Sequence, residues 1–509
     1  MTLSLSSQHY DIIIVGGGVN GTGIAADAAS RGLKVLLCEQ NDLASATSSK
    51  SSKLIHGGLR YLEHYEFSLV RKALSEREVL LKKAPHIIHP LKFIMPHQAH
   101  LRPAWIIRLG LFLYDNLAKR TTLSASSGVR FDQLSPLKPD ITKGFTYADC
   151  WVDDSRLTIL NAVAAKQDGA TVLNYCKCTH VCQQQDKWQL TLTPVTGKSF
   201  TVTANALVNA AGPWVSSLFS SIDNYQAPQQ IRLVKGSHIV VPKIHAGDDA
   251  YILQNPDGRI VFVLPYEQKY SLIGTTDVDY FGAPNDASIS QQEIDYLIAI
   301  SNRYFKHQIS ENDIVSTYAG VRPLLNDESV DAQKVTRDYT LEQNWQHPTL
   351  PLISAFGGKI TTYRKLAEAV VDALQPRFPG MGACATKHQP LPGGDFVSRA
   401  DLLKQLQIKY SFVQLSVLKR YVSTYGTCSY LFLADCNKLE DLGQDFGHGL
   451  YQREVDYLSQ HEWATSADDI LWRRTKLGLT LTPTQKNVLD SYMSGNNKIA
   501  KVAEMVGSL

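Results

Sequence analysis

The sequence predicts an α/β protein of three parts: a domain built on a parallel βαβ unit, an antiparallel-sheet domain and an all-helical C-terminal domain. Three observations predict it. First, the apolar run Tyr10-Asp-Ile-Ile-Ile-Val-Gly16-Gly-Gly18-Val-Asn-Gly21 ends in glycines and leads through a small-residue helix to Val35-Leu-Leu-Cys-Glu39. Second, strand-like runs follow at His238–Val241, Ile260–Leu264 and Ser271–Gly274. Third, residues 395–509 read as mostly helical.

The first observation is a strand–turn–helix–strand–acid unit of Rossmann type. Gly16 permits the tight turn, Gly18 lets the backbone approach a pyrophosphate, and Gly21 lets the helix sit close to the strand. The helix N-terminus presents unpaired N–H groups and a partial positive charge to phosphate. Glu39, at the end of the second strand, can accept both ribose hydroxyls and repels a 2′-phosphate. A lone GxGxxG would be a weak signal; the surrounding βαβ context makes it an adenine-dinucleotide site.

Bulk properties narrow the function. A chain of 509 residues holds two or three domains with ample core. A net charge of +3 does not suggest a nucleic-acid partner. Eight cysteines are scattered without a secretion signal, which points to reduced thiols and a cytoplasmic setting. Cys176-Lys-Cys178-Thr-His180-Val-Cys182 has strand alternation as well as metal-capable residues, and its spacing matches no common zinc pattern, so no metal is expected. No segment reaches the roughly 18 apolar residues of a spanning helix. Leu101 to Tyr114 is nevertheless apolar and aromatic, with Arg102, Arg108, Lys119 and Arg120 along it. An interfacial helix has this pattern, and so does a buried one.

Further along, Ala44 to Lys53 is Ser-rich and by composition a linker, yet it runs into His56-Gly57-Gly58-Leu-Arg60-Tyr61, which is too specific for a spacer. Phe67 to Lys83 reads as an amphipathic helix and Leu157–Asp168 as another. Ala206-Leu-Val-Asn-Ala-Ala-Gly212 is an apolar strand ending in a second close backbone approach. Leu350 to Tyr363 reads strand–turn–helix through Gly357-Gly358-Lys359, with Thr361 or Thr362 as the N-cap. Gln389-Pro-Leu-Pro392-Gly-Gly394 punctuates a boundary.

Glycine sites near Gly16, Gly212 and Gly358, in this order, resemble the FAD-dependent oxidoreductases of the D-amino-acid-oxidase type. Lys53-Leu-Ile-His-Gly-Gly-Leu-Arg-Tyr-Leu-Glu63, Gly274-Thr-Thr-Asp277, Ala319-Gly-Val-Arg322-Pro-Leu, Thr336-Arg337-Asp-Tyr and Gly357-Gly-Lys359-Ile-Thr-Thr-Tyr-Arg364 are similar to signatures of the FAD-dependent glycerol-3-phosphate dehydrogenases. Glu462-Trp463 and Asp468-Asp-Ile-Leu-Trp-Arg473-Arg474-Thr-Lys476 resemble that family's helical domain. The resemblance covers essentially the whole chain. It implies FAD as cofactor, oxidation of sn-glycerol 3-phosphate to dihydroxyacetone phosphate, membrane quinone as acceptor, monotopic contact with the inner face of the cell membrane, and a homodimer.

Residue roles follow from the same resemblance. Arg322 and Arg337 are expected to clamp the phosphate dianion, because a guanidinium is a charged planar fork. Arg60, Tyr61 and Lys359 line the substrate side, and Lys359 can hydrogen-bond the C2 oxygen. His56 is the candidate base, with His238 the alternative. Gly16, Gly17, Gly18, Asn20, Gly21, Glu39, Ser48, Ser52, Lys53, Gly57, Gly58, Gly212, Gly358 and Thr361 are the expected FAD contacts. The FAD domain is assigned to 1–100, 151–235 and 325–388, the substrate and membrane-facing domain to 101–150 and 236–324, and the helical domain to 395–509. The competing readings are a soluble NAD-dependent dehydrogenase, a non-catalytic FAD module, and an FAD-dependent amine or amino-acid oxidase of the same fold. The paired arginines favour a phosphate over a carboxylate.

Overall fold

The structure, a computed structural model, describes residues 8–226, 231–325, 338–347 and 350–506. Its first sheet runs in the order Thr340–His347, Leu350–Phe356, Phe200–Asn209, His9–Val15, Val35–Cys38, Thr171–Leu173. The pairings of His9–Val15 with both neighbours are parallel, as is Phe200–Asn209 with Leu350–Phe356. A parallel sheet is covered on both faces, which is why its strands are continuously apolar. One face carries Ile12, Ile14, Val35 and Val208 against the helices Val19–Ser30, Asp154–Gln167 and Tyr363–Ala373. The other carries Ile13, Leu36, Leu207 and Phe356 with Trp188.

Small residues let the first helix lie close. A Cβ on Gly21 would fall 1.9 Å from the Gly16 carbonyl oxygen, and one on Gly23 would fall 2.7 Å from the Tyr363 ring. Gly21 therefore serves the cofactor turn through packing and does not itself face the cavity.

The second sheet has ten strands. Its path is Val278–Asp279, Ile231–Pro242, Tyr270–Gly274, Ile260–Tyr266, Ala250–Gln254, Ile88–Pro96, Lys143–Val152, Leu54–Ile55. Ser316–Leu325 pairs with Ile231–Pro242 from the outside, and Ser127–Arg130 with Lys143–Val152. All its pairings are antiparallel except Ala250–Gln254 with Ile88–Pro96. Two of its strands, Leu54–Ile55 and Ile88–Pro96, come from the stretch 1–100 that the sequence assigns to the first domain. Neither carries an α/β signal: one has two residues, and the other follows a helix directly.

The helices Arg399–Lys409, Leu415–Tyr425, Gln452–Glu462 and Pro483–Val506, with the short helix Ser429–Leu433 between the second and third, enclose a separate core around Leu406, Leu418, Tyr421, Phe432 and Leu458. Among the described residues no helix is long and apolar enough to cross a membrane.

Candidate active site

Between the two sheets lies a cavity of about 590 Å³, and the glycine turn forms one end of it. Gly16 has φ +118°, and a Cβ there would fall 2.4 Å from the Ala210 carbonyl oxygen. The turn thus closes tightly on the neighbouring strand. The Gly17 amide donates to Glu39 Oε2 at 2.7 Å and the Asn41 amide to Oε1 at 2.8 Å. Burial pushes the Glu39 carboxyl up from its usual value, and those two amides hold it back. Gly18, Val19 and Asn20 reach the cavity at the N-terminus of the first helix, whose first turn carries no acidic residue. The positive end of that dipole faces the cavity.

The Ser-rich stretch is a wall and not a linker. Ser48 Oγ accepts the Val19 amide at 2.9 Å, completing the first turn of the helix, and a Cβ on Gly18 would sit 3.1 Å from the same oxygen. Ser45 to Ser48 and Lys50 to Ser52 line the cavity. Lys53 does not. It is 2% exposed, and its Nζ pairs with Asp154 at 2.7 Å, away from the cavity, so it supports this wall from behind. An ammonium with a buried carboxylate in reach is satisfied there and gains nothing by facing solvent.

Opposite stand Gly212 (φ +54°), Gly357 (φ +72°) and Gly358 (φ +99°). A Cβ on Gly212 would meet nothing within 4 Å, so this backbone borders open space. Asn20 Nδ2 donates to the Gly357 carbonyl at 3.2 Å and ties the two glycine loops together. Thr362 takes the N-cap position of the helix Tyr363–Ala373, but neither its side chain nor that of Thr361 makes a capping bond. A 3₁₀ turn, Ile360–Thr362, precedes the helix, and Thr361 Oγ1 is spent on the His56 backbone, 3.3 Å from its nitrogen.

The far end gathers His56, Tyr61, Arg322 and Lys359 on the cavity wall. Lys359 Nζ sits 3.8 Å from the centre of the Tyr61 ring. Arg322 Nη1 pairs with Asp277 Oδ1 at 2.7 Å, and Gly236 leaves room for it: a Cβ there would be 3.2 Å from Arg322 Nη2. Gly57 and Gly58 do not line the cavity. Gly57 is small because a Cβ would fall 2.4 Å from Leu74 Cδ2, and Gly58 (φ +75°) because one would fall 2.2 Å from the Tyr61 ring. Arg60 also stays off the cavity wall, and Arg337 lies outside the described residues.

His238, the alternative base, is 1% exposed behind Ser52, whose Oγ is 3.0 Å from its Nε2, and it stacks on Tyr318. Burial, then Arg322 and Lys53, holds its pKa well below the usual histidine value. Lys50, Trp214, Asp277 and Asn285 were not singled out from the sequence. Lys50 was hidden in serine-rich composition, and Asp277 sits inside a quoted motif as the partner of Arg322.

Cys176 and Cys178 are buried in the first domain's core. The metal-capable group among the described residues is His180, Cys182 and Asp223, with ligand atoms within 4.8 Å of one another. It is partly exposed and separate from the cavity wall.

A carboxylate at one end, a helix N-terminus beside it, an open glycine cradle and a cationic far wall fit a dinucleotide bearing a redox ring. The class this defines is an FAD-binding oxidoreductase. Residues 11–364 match the model of the FAD dependent oxidoreductases, and 384–494 match the C-terminal domain of alpha-glycerophosphate oxidase. The chain belongs to the FAD dependent oxidoreductase family. It is 53% identical over 492 residues to the glycerol-3-phosphate dehydrogenase of Pseudomonas aeruginosa, covering 96% of each chain. It is 52% identical over 488 residues to the aerobic glycerol-3-phosphate dehydrogenase of Escherichia coli K12, covering 96% of this chain and 97% of the other. The solved glycerol-3-phosphate dehydrogenase of Bacillus halodurans, complexed with FAD, superposes with TM-score 0.74 at 25% identity over 96% of this chain and 95% of its own.

Proposed function

We propose that the protein oxidises sn-glycerol 3-phosphate to dihydroxyacetone phosphate and passes the electrons to a membrane quinone. FAD, when bound, supplies the two-electron acceptor. The C2–H bond breaks with its electron pair, the C2 hydroxyl gives up its proton, and the C2 carbonyl forms. Arg322, together with Arg337, binds the phosphate. Lys359 holds the C2 oxygen, Tyr61 shapes the substrate side, and His56 takes the hydroxyl proton. At the other end Glu39 holds the ribose, and the backbone at Gly18 and Asn20, with the Ser48 hydroxyl, holds the pyrophosphate.

The observation that carries this reading is that His56, Lys359 and Arg322 line the same cavity as the glycine turn and Glu39. Anaerobic titration with sn-glycerol 3-phosphate should bleach the flavin spectrum, and a quinone analogue should restore it. Glycine and sarcosine should leave it unchanged. Bleaching by either amine, and none by the phosphate ester, would overturn the assignment.

The helix Ala104–Asn116 supports the membrane half of the proposal. Trp105, Leu109 and Phe112 are 69%, 52% and 56% exposed and fall on one face, with Tyr65 (81%) close in sequence to Glu63, which pairs with Arg102. Exposed aromatics at helical spacing beside basic residues suit the lipid interface. The proposed location is the inner face of the cell membrane, as a homodimer.

A further inference from the structure

The helical domain has no residue on the cavity wall, yet it grips that wall from behind. The segment leaving the strand Val35–Cys38 gives Glu39, Gln40, Asn41 and Ala44 to the cavity. Asp42, in its middle, points the other way and is 1% exposed. Its carboxylate receives both prongs of Arg474, one of them 2.9 Å from Oδ1, and also Nε of Arg473. Both arginines end the π-helical turn Asp469–Arg474 of the helical domain. Arg474 also donates to the Glu462 carbonyl at 2.5 Å, and Asp469 accepts the Tyr175 hydroxyl at 2.7 Å. Two residues on, Lys476 Nζ is 2.9 Å from both oxygens of Asp153. Adjacent Asp154 holds Ser51 and Lys53, on either side of Ser52 in the second cavity wall.

We propose that Arg473 and Arg474 are positioning residues: through Asp42 they fix the Glu39–Ala44 wall that receives the nucleotide's ribose. This rests on the ribose lying at Glu39. A carboxylate this deeply buried is tolerable only when paired. Without the guanidinium groups Asp42 turns toward water, and the water beside this loop is in the cavity. The loop then loses the geometry in which Glu39 accepts from Gly17 and Asn41. The helical domain thus governs how tightly FAD is held, not the chemistry at the far end.

The same interface supplies a control. Arg156 and Glu462 form a pair at 0% and 0% side-chain exposure, but Arg156 lies on the helix Asp154–Gln167, which does not line the cavity. The experiment is titration of the full-length apoprotein with FAD, followed by quenching of flavin fluorescence, alongside its thermal midpoint without FAD. Arg474→Gln and Arg473→Gln should raise the FAD dissociation constant on the order of tenfold, with kcat at saturating FAD unchanged. Glu462→Gln should lower the midpoint without weakening FAD. Should Arg474→Gln fail to fold, Arg473→Gln, whose side chain is 16% exposed, decides. An unchanged FAD affinity in Arg473→Gln, or a change no larger than that in Glu462→Gln, overturns the proposal. Glu39→Gln separates the two layers. If it binds FAD normally, the ribose placement fails and the proposal with it; if it binds weakly while Arg473→Gln does not, the positioning role alone fails.

Discussion

The Tyr114 hydroxyl accepts the Gly57 amide at 2.8 Å and donates to Asp149, whose carboxylate oxygens lie 2.8 Å away. Arg77 closes the network on Asp149 at 2.5 Å. The helix that turns Trp105 outward therefore holds, on its inner side, the loop carrying His56. Tyr114→Phe orphans a buried amide and removes a donor from Asp149. The expected cost is about 1–3 kcal/mol of unfolding free energy, with slower flavin reduction and normal FAD content. Denaturant unfolding and stopped-flow reduction check this; parent-like values in both would refute it.

Gly212 and Gly16 separate cavity filling from packing. Gly212→Val directs its branch into open space at a φ of +54°, a left-handed conformation that costs an L residue about 1–2 kcal/mol, so the protein should fold with lowered stability, purify and lose flavin. Gly16→Val drives the same branch into the Ala210 carbonyl and should cost solubility as well. Gly358→Val, at φ +99° and 3.2 Å from Asn20, should also lose flavin. The ratio of flavin to protein absorbance is the measure, and a normal ratio in Gly212→Val or Gly358→Val contradicts the placement.

Arg322→Ala should raise KM for sn-glycerol 3-phosphate far more than it lowers kcat. A charge-assisted hydrogen bond contributes about 1.5–3 kcal/mol, so a rise of roughly tenfold or more is expected. Asp277→Asn, which keeps the shape beside Arg322, should have the smaller effect. Steady-state kinetics with unchanged KM in Arg322→Ala would remove it from the phosphate site.

His86 and His238 predict the acid limb of stability. Burial, then Arg156 and Arg399, depresses the His86 pKa, and burial, then Arg322 and Lys53, depresses that of His238. Both stay neutral in the native state. The unfolded chain protonates them below about pH 6.5, so it then binds more protons than the native one. Their contribution is complete above that pH and is lost as the pH falls, by up to about 1.4 kcal/mol per pH unit for each. Unfolding free energies between about pH 7.5 and about pH 5 should decline accordingly, and His86→Gln should flatten the slope. A pH-independent free energy would sink the prediction.

Replacing Trp105, Leu109 and Phe112 together by Ser should weaken sedimentation with anionic vesicles while anaerobic reduction by substrate continues. Unchanged sedimentation would move the membrane contact elsewhere.

Strong local periodicity was legible in the sequence. The helix predicted at Phe67–Lys83 has those ends, and the alternation at Cys176–Cys182 is a strand. The glycine turns were visible because backbone approach restricts residue type. Their individual reasons were not: Gly57 and Gly58 answer to Leu74 and Tyr61, neighbours set by tertiary packing. Lys53 misled because a motif states proximity to a site, whereas its buried partner Asp154 decides where the side chain points. Of the two expected N-cap residues, Thr361 lies within the 3₁₀ turn Ile360–Thr362, whereas Thr362 takes the N-cap position of the helix Tyr363–Ala373 without a capping bond from its hydroxyl.

The interleaving of the two sheets constrains how the chain can be made. The strand Leu350–Phe356 sits inside the first sheet, beside Phe200–Asn209, so the glycine turn near the N-terminus lacks part of its scaffold until translation has passed that point. Contacts this distant along the chain are slow to form and leave strand edges open meanwhile. A nascent chain stalled before Leu350 would present an unfinished parallel edge to the ribosome's surroundings and would depend on chaperones to stay soluble.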